Sequence, residues 1–278
     1  DRATLDVLTR LSRSAPPGRV LVVGTYRDTD VGPDHPLREV VGDLARHGVD
    51  PHLRLRGLTP ADVAELLAGR VPGGDVDDLA RRIHARSGGN PLFAGALVRE
   101  AAQEPTANGV GLPVEVRDVV TARLAPLAPT TRRLLEAATA MGAVLDVSVL
   151  ASVLDVAVDD VVDGLDQSVA VGLLDEVAAD RYRFVHEVVR EAVASTVSRT
   201  RRARLHRRVA LELEARGASA ADVARHLLDA GDDPTVRRHA MQVLLAAGGE
   251  ALRAGAPADA AVHLHRALDG ATGSADSA

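Results

Sequence analysis

The stretch Leu173–Val193, "LLDEVAADRYRFVHEVVREAV", reads as a short strand, a breaker-free polar turn, a second strand around Tyr182–Phe184 and then a helix. Upstream of it, apolar residues recur at helical spacing in Pro113–Leu124, Pro129–Met141 and Val147–Leu154, and again in "AVDDVVDGLDQSVA" from Ala157 to Ala170. Helices followed by a two-stranded wing describe a winged-helix domain, here over residues 112–198. Downstream, from about Arg199 to residue 278, the pattern is all helix. Small residues and leucines are spaced there as in paired antiparallel helices, the start of a TPR-like repeat, before the flexible end "GSADSA".

On the other side, "EPTANGVG", Glu104–Gly111, is polar and rich in breakers, and it marks a domain boundary. Residues 57–104 before it form a small helical domain. Thr59 stands as an N-cap with Pro60 at the first helical position, a second helix runs over roughly 75–87, and a third runs from Leu92 to about Gln103. Between the last two lies "SGGNPLFAG", Ser87–Gly95, which ends one helix and caps the next.

Residues 1–56 open with Asp1 as N-cap of an amphipathic helix. "PPGRVLVVGTYRDTD" then gives a turn and a continuous apolar run, Val20–Val23, of the kind buried in a parallel sheet. Ligands of such sheets bind beyond the carboxyl ends of the strands, which is where Thr25, Tyr26, Arg27 and Asp28 fall. A helix over 37–47 and a short strand in "HLRLRGL", from His52, complete this part. The expected fold is therefore mostly α, with the edge of an α/β core at its start. Lacking an initiating Met, the chain reads as a piece of something longer.

Composition narrows the chemistry. Cysteine is absent, which excludes disulfides, thiolate metal sites and a cysteine nucleophile, and a reducing, cytoplasmic setting is the expectation. No lysine occurs, so all 33 basic residues are arginine. A P-loop and a pyridoxal Schiff base each need a lysine, and neither site is complete within these residues. The formal net charge of -6 gives no general pull toward nucleic acid, and no apolar run approaches the ~20 residues of a membrane-spanning helix.

Three elements occur in order: "VLVVGTYRDTD", "SGGNPLFAGALVRE" and "RYRFVHEVVREAV". This order resembles the signal-transduction ATPases with numerous domains, the STAND class of AAA-type ATPases, and in particular the large bacterial LuxR-type transcriptional regulators. The resemblance implies that 1–56 is the C-terminal part of a P-loop ATPase core, 57–104 a helical lid and 112–198 a regulatory winged helix. It further implies that Arg27 senses the nucleotide phosphates, that Gly89, Asn90 and Pro91 pack near the base, and that His186 contacts the β-phosphate of ADP. The cofactors implied are ATP or ADP with magnesium in the intact parent. The phosphate cradle and catalytic acid would lie upstream, so no catalytic residue is assigned in this chain, no tight nucleotide binding is expected of it alone, and it is expected not to hydrolyse ATP. Expected partners are a protein or small-molecule inducer on the C-terminal repeats, and DNA only through a further C-terminal domain. The alternatives are a non-catalytic helical adaptor, or the ATPase region of a cyclase-linked sensor.

Other constellations are weaker. "SRTRRARLHRR" places seven basic residues, counting His206, between Arg199 and Arg208 without an interleaved aromatic, and it reads as a solvated helix face. His226, His239, His263 and His265 have no metal-ligand spacing. Asp77–Asp78 and Asp159–Asp160 sit near helix starts, where the macrodipole favours carboxylates.

Overall fold

The computed structural model describes residues 2–13, 23–26, 31–32, 35–46, 53–71, 75–103, 111–231 and 233–272. The chain divides into two compact units, Asp1–Arg56 and Gly57–Ala278.

In the first unit, α1 (Arg2–Arg13) and α2 (Pro36–Arg46) are in contact, and α2 buries none of its residues. The expected strands are not seen among the described residues. Val20–Val22 and Arg27 lie outside them, and neither Val23–Tyr26 nor Leu53–Leu58 is paired as a strand. A strand forms only where a neighbouring strand takes its N–H and C=O groups, and the described part of this unit offers none. Val23, Leu53 and Leu55 are accordingly 74%, 80% and 86% exposed.

The second unit begins with α3 (Pro60–Leu67), α4 (Val76–Ser87) and α5 (Pro91–Gln103). Thr59 caps α3 through a reciprocal pair: its hydroxyl accepts from the Asp62 N–H at 3.2 Å and its own N–H donates to the Asp62 carboxylate at 2.7 Å. Then come α6 (Val114–Leu124), α7 (Pro129–Met141), β1 (Leu145–Asp146), α8 (Val147–Leu154), α9 (Val158–Ala170), β2 (Leu174–Ala178), β3 (Arg181–Phe184) and α10 (Glu187–Ser195). The strands make one antiparallel sheet in the order β1-β3-β2, with Leu145 opposite Tyr182 and Leu174 opposite Phe184. Period-two alternation turns Tyr182 and Phe184 into the core and leaves Arg181 and Arg183 outside. The third strand, β1, was not expected from the sequence.

A continuous cluster of buried side chains runs from Val63 to Val209 and includes Phe93, Leu97, Leu135, Leu150, Leu165 and Val189. Each such side chain contributes about 1.5–3 kcal/mol by leaving water. With so few aromatics, the core is built from Leu, Val and Ala on helices.

The remainder is α11 (Arg199–Ala215), α12 (Ala220–Asp229), α13 (Pro234–Arg253) and α14 (Pro257–Thr272), each packed on the next around a second cluster centred on Val223, Leu227, Ala240 and Leu244. The last two approach closely at Gly248, where an added Cβ would lie 2.8 Å from Leu264 Cγ. No helix among the described residues is long and apolar enough to cross a membrane.

Candidate functional site

The turn between α4 and α5 is set by four adjacent residues. Ser87 is fully buried, and its hydroxyl donates to the His84 carbonyl while accepting from the Gly89 N–H, both at 3.3 Å. Gly88 ends α4 in the left-handed region at φ 57°, and Gly89 follows at φ 73°, a pair of conformations that glycine adopts without a Cβ penalty. Asn90 then starts α5: its side-chain oxygen accepts from the N–H of Leu92 at 3.0 Å and lies 3.5 Å from that of Phe93. Pro91 is the first helical residue and stands exposed beside Leu92, which is 54% exposed.

Two neighbours close on this turn. The Gly89 carbonyl accepts from the Leu58 N–H at 2.7 Å, and an added Cβ on Gly89 would meet the Leu58 carbonyl at 2.4 Å. On the other side stands His186. It occupies the N-cap position of α10 in extended geometry but makes no side-chain capping bond. Its ring meets the edge of Phe93 in a T-shaped contact, centroids 5.6 Å apart, and faces Gly88 at van der Waals distance.

The His186 Nδ1 is buried without a hydrogen-bond partner among the described residues. Burial holds the imidazole pKa below its ordinary value. The Asp175 carboxylate pulls the other way, while the Arg123 and Arg183 guanidiniums add to the downward push. The ring is therefore neutral at pH 7. A buried unpaired nitrogen costs about 1–3 kcal/mol, and this one is packed against Gly88, with no room for a ligand atom between them.

The helices carrying the two halves of this site are clamped beside it. Arg86, in the last turn of α4, forms a two-pronged ion pair with Glu191 of α10; its Nε lies 3.0 Å from Oε1, and its second nitrogen meets Oε2.

Of the residues expected from the sequence, Gly89, Asn90 and Pro91 thus form one turn, and His186, about a hundred positions later, packs on the residue next to them. Arg27 lies outside the described residues. Sequence reasoning missed Gly88, Phe93 and the Arg86–Glu191 pair; the doubled glycine was the only available signal, since a cap alone needs one. Among the described residues no group of three His, Asp or Glu could hold a metal ion.

No family model matches the chain, and no curated protein matches it. Among solved structures, a signal-transduction ATPase with numerous domains that carries a tetratricopeptide-repeat sensor, from Pyrococcus horikoshii, is similar at 14% identity and a TM-score of 0.38, over 79% of this chain. The chain spans 36% of the length of that protein.

Proposed function

We propose that this chain is the middle portion of an ATP/ADP-dependent signalling switch of the STAND class, of the kind found in LuxR-type transcriptional regulators. In this reading 1–56 ends the ATPase core, 57–104 is the lid, 112–198 is a winged-helix lock and 199–278 begins a TPR-like sensor array. The observation that carries the proposal is the packing of His186 on the Gly88–Pro91 turn. Two of the three elements on which the resemblance rests meet within one compact unit.

A nucleotide fits the chemistry of these residues. Exposed Pro91 and Leu92 offer an apolar face for a base, and a neutral imidazole can donate one N–H to a phosphate oxygen. The nucleotide would supply the negative charge, and the residues of this chain would sense it. Arg27 has the right chemistry for a terminal phosphate, and its part rests on the resemblance alone. ADP would hold lid and winged helix closed on the core; exchange for ATP, favoured by an inducer on the repeats, would open it.

The test is His186→Ala in a longer chain that includes the upstream P-loop. ADP affinity is expected to fall about tenfold or more, the scale of one charge-assisted hydrogen bond, and basal output to rise. Unchanged affinity and output defeat the lock.

A helical adaptor is the second reading, favoured by the exposed Leu245 and Leu252 of α13. ADP raises the melting temperature of the longer chain in the switch reading and leaves it unmoved in the adaptor reading.

A further inference from the structure

A cleft of about 1140 Å³ opens among α6, α7, α10, α11 and α12. Neither His186 nor the Ser87–Phe93 turn lines it. Five guanidiniums do: Arg117, Arg190, Arg199, Arg202 and Arg225. They face three carboxylates, of which Glu187 is taken by Arg190 and Glu191 by Arg86 from outside the cleft. Only Asp229 is left, 3.8 Å from His206.

The remaining four cations keep their charge. Arg117 and Arg199 have no ion pair among the described residues. Arg202 donates to the Ala194 carbonyl at 2.7 Å, and Arg225 lies 3.0 Å from His226 Nε2. A guanidinium can only donate, so this Nε2 accepts and the His226 proton sits on Nδ1. That Nδ1 lies 3.1 Å from His206 Nδ1, which must then be the acceptor, and both rings are neutral. A carbonyl and a neutral ring position a guanidinium without cancelling its charge.

The chain as a whole carries -6, so this concavity has the opposite sign to the average surface. Concave walls focus such a field on what enters. Planar forks of this type pair with phosphate or carboxylate oxygens two at a time. No Phe, Tyr or Trp lines the cleft, so it has no stacking platform for a base.

We propose that this cleft binds a compact polyanion, a small molecule bearing two or more phosphate or carboxylate groups. The site is independent of the nucleotide reading of the His186 turn.

Calorimetric titration of the full chain with inorganic pyrophosphate, and separately with citrate, tests it. Binding that weakens with added salt is expected for at least one of the two, with preference for pyrophosphate marking a phosphate ligand and equal affinity marking charge alone. The double variant Arg117→Gln/Arg199→Gln removes two exposed side chains that make no ion pair among the described residues and is expected to lose about tenfold or more in affinity. Arg204→Gln/Arg208→Gln removes the same charge from α11 outside the cleft and is expected to change affinity less than about twofold. Equal losses in the two double variants, no binding of either probe, or loss in His186→Ala instead would each overturn the proposal. So would preferential binding of duplex DNA through the same arginines.

Discussion

His186 and Gly88 stand so close that nothing larger than hydrogen fits between them: a Cβ on Gly88 would lie 2.3 Å from His186 Nδ1 and 2.8 Å from Cε1. The contact joins the end of α4 to the start of α10 and is made by the residue type that adopts φ 57° without a Cβ penalty. Backbone geometry and the space for the imidazole thus impose the same choice at one position.

Gly88→Ala is expected to destabilise the chain by more than about 2 kcal/mol, roughly 1 from the left-handed backbone and the rest from displacing the ring. Adding His186→Ala should recover the second part only, a coupling of about 1 kcal/mol or more in a double-mutant cycle. Gly89→Ala behaves differently, because the clash is with the Leu58 backbone at 2.4 Å and no side-chain truncation relieves it. Chemical denaturation of the four variants checks both statements; full rescue of Gly88→Ala by His186→Ala would mean that the φ value costs nothing.

Much of the second unit was legible because its helices carry their own punctuation. Thr59, Asn90, Ser198 and Asp233 cap, and Pro129 and Met141 bound α7 as the sequence suggests. The two-residue strand β1 has no signal of its own; it exists because Tyr182 and Arg181 offer it partners. The alternating run from His52 had the converse problem, a strand pattern without a strand beside it among the described residues. The meeting of Gly88 with His186 depends on how α4 docks on α10, which no local pattern encodes. The run "SRTRRARLHRR" reads as a solvated face because the sequence does not show that Arg199, Arg202 and His206 face α6, α7 and α10 across a shared cleft.

The Arg86–Glu191 pair is expected to contribute to this docking. Both side chains are mostly buried, at 21% and 28% exposure, and each carboxylate oxygen meets its own guanidinium nitrogen. That geometry exceeds the usual surface pair, which is worth 0–1 kcal/mol. Arg86→Ala and Glu191→Ala should each destabilise by about 1–3 kcal/mol, with a coupling of about 1 kcal/mol in the cycle. Strict additivity of the two would show that the pair contributes nothing beyond packing.

Stability should fall on mild acidification, chiefly because of the two histidines between α11 and α12, with half-buried His186 adding to the fall. His226 is fully buried, and burial first, then Arg225 and His206, hold its pKa down to about 4 against an opposing pull from Asp222. His206 is lowered as well, by burial first and then by Arg225, Arg202 and Arg190, with Asp229 opposing. The unfolded chain takes up these protons near the ordinary value of 6.5, whereas folded His226 resists until about 4. The stabilisation is therefore complete above 6.5 and is lost progressively as the pH falls toward 4, by on the order of 3 kcal/mol for His226. Capping carboxylates such as Asp146 have lowered pKa values too, so their contribution is lost only below the ordinary carboxylate range and leaves this window to the histidines. Melting curves between pH 7 and pH 5 should show a falling midpoint, and His226→Gln, which lacks the titrating ring, should flatten that slope even if it lowers the midpoint at pH 7. An unchanged slope in the variant would place the acid sensitivity elsewhere in the chain.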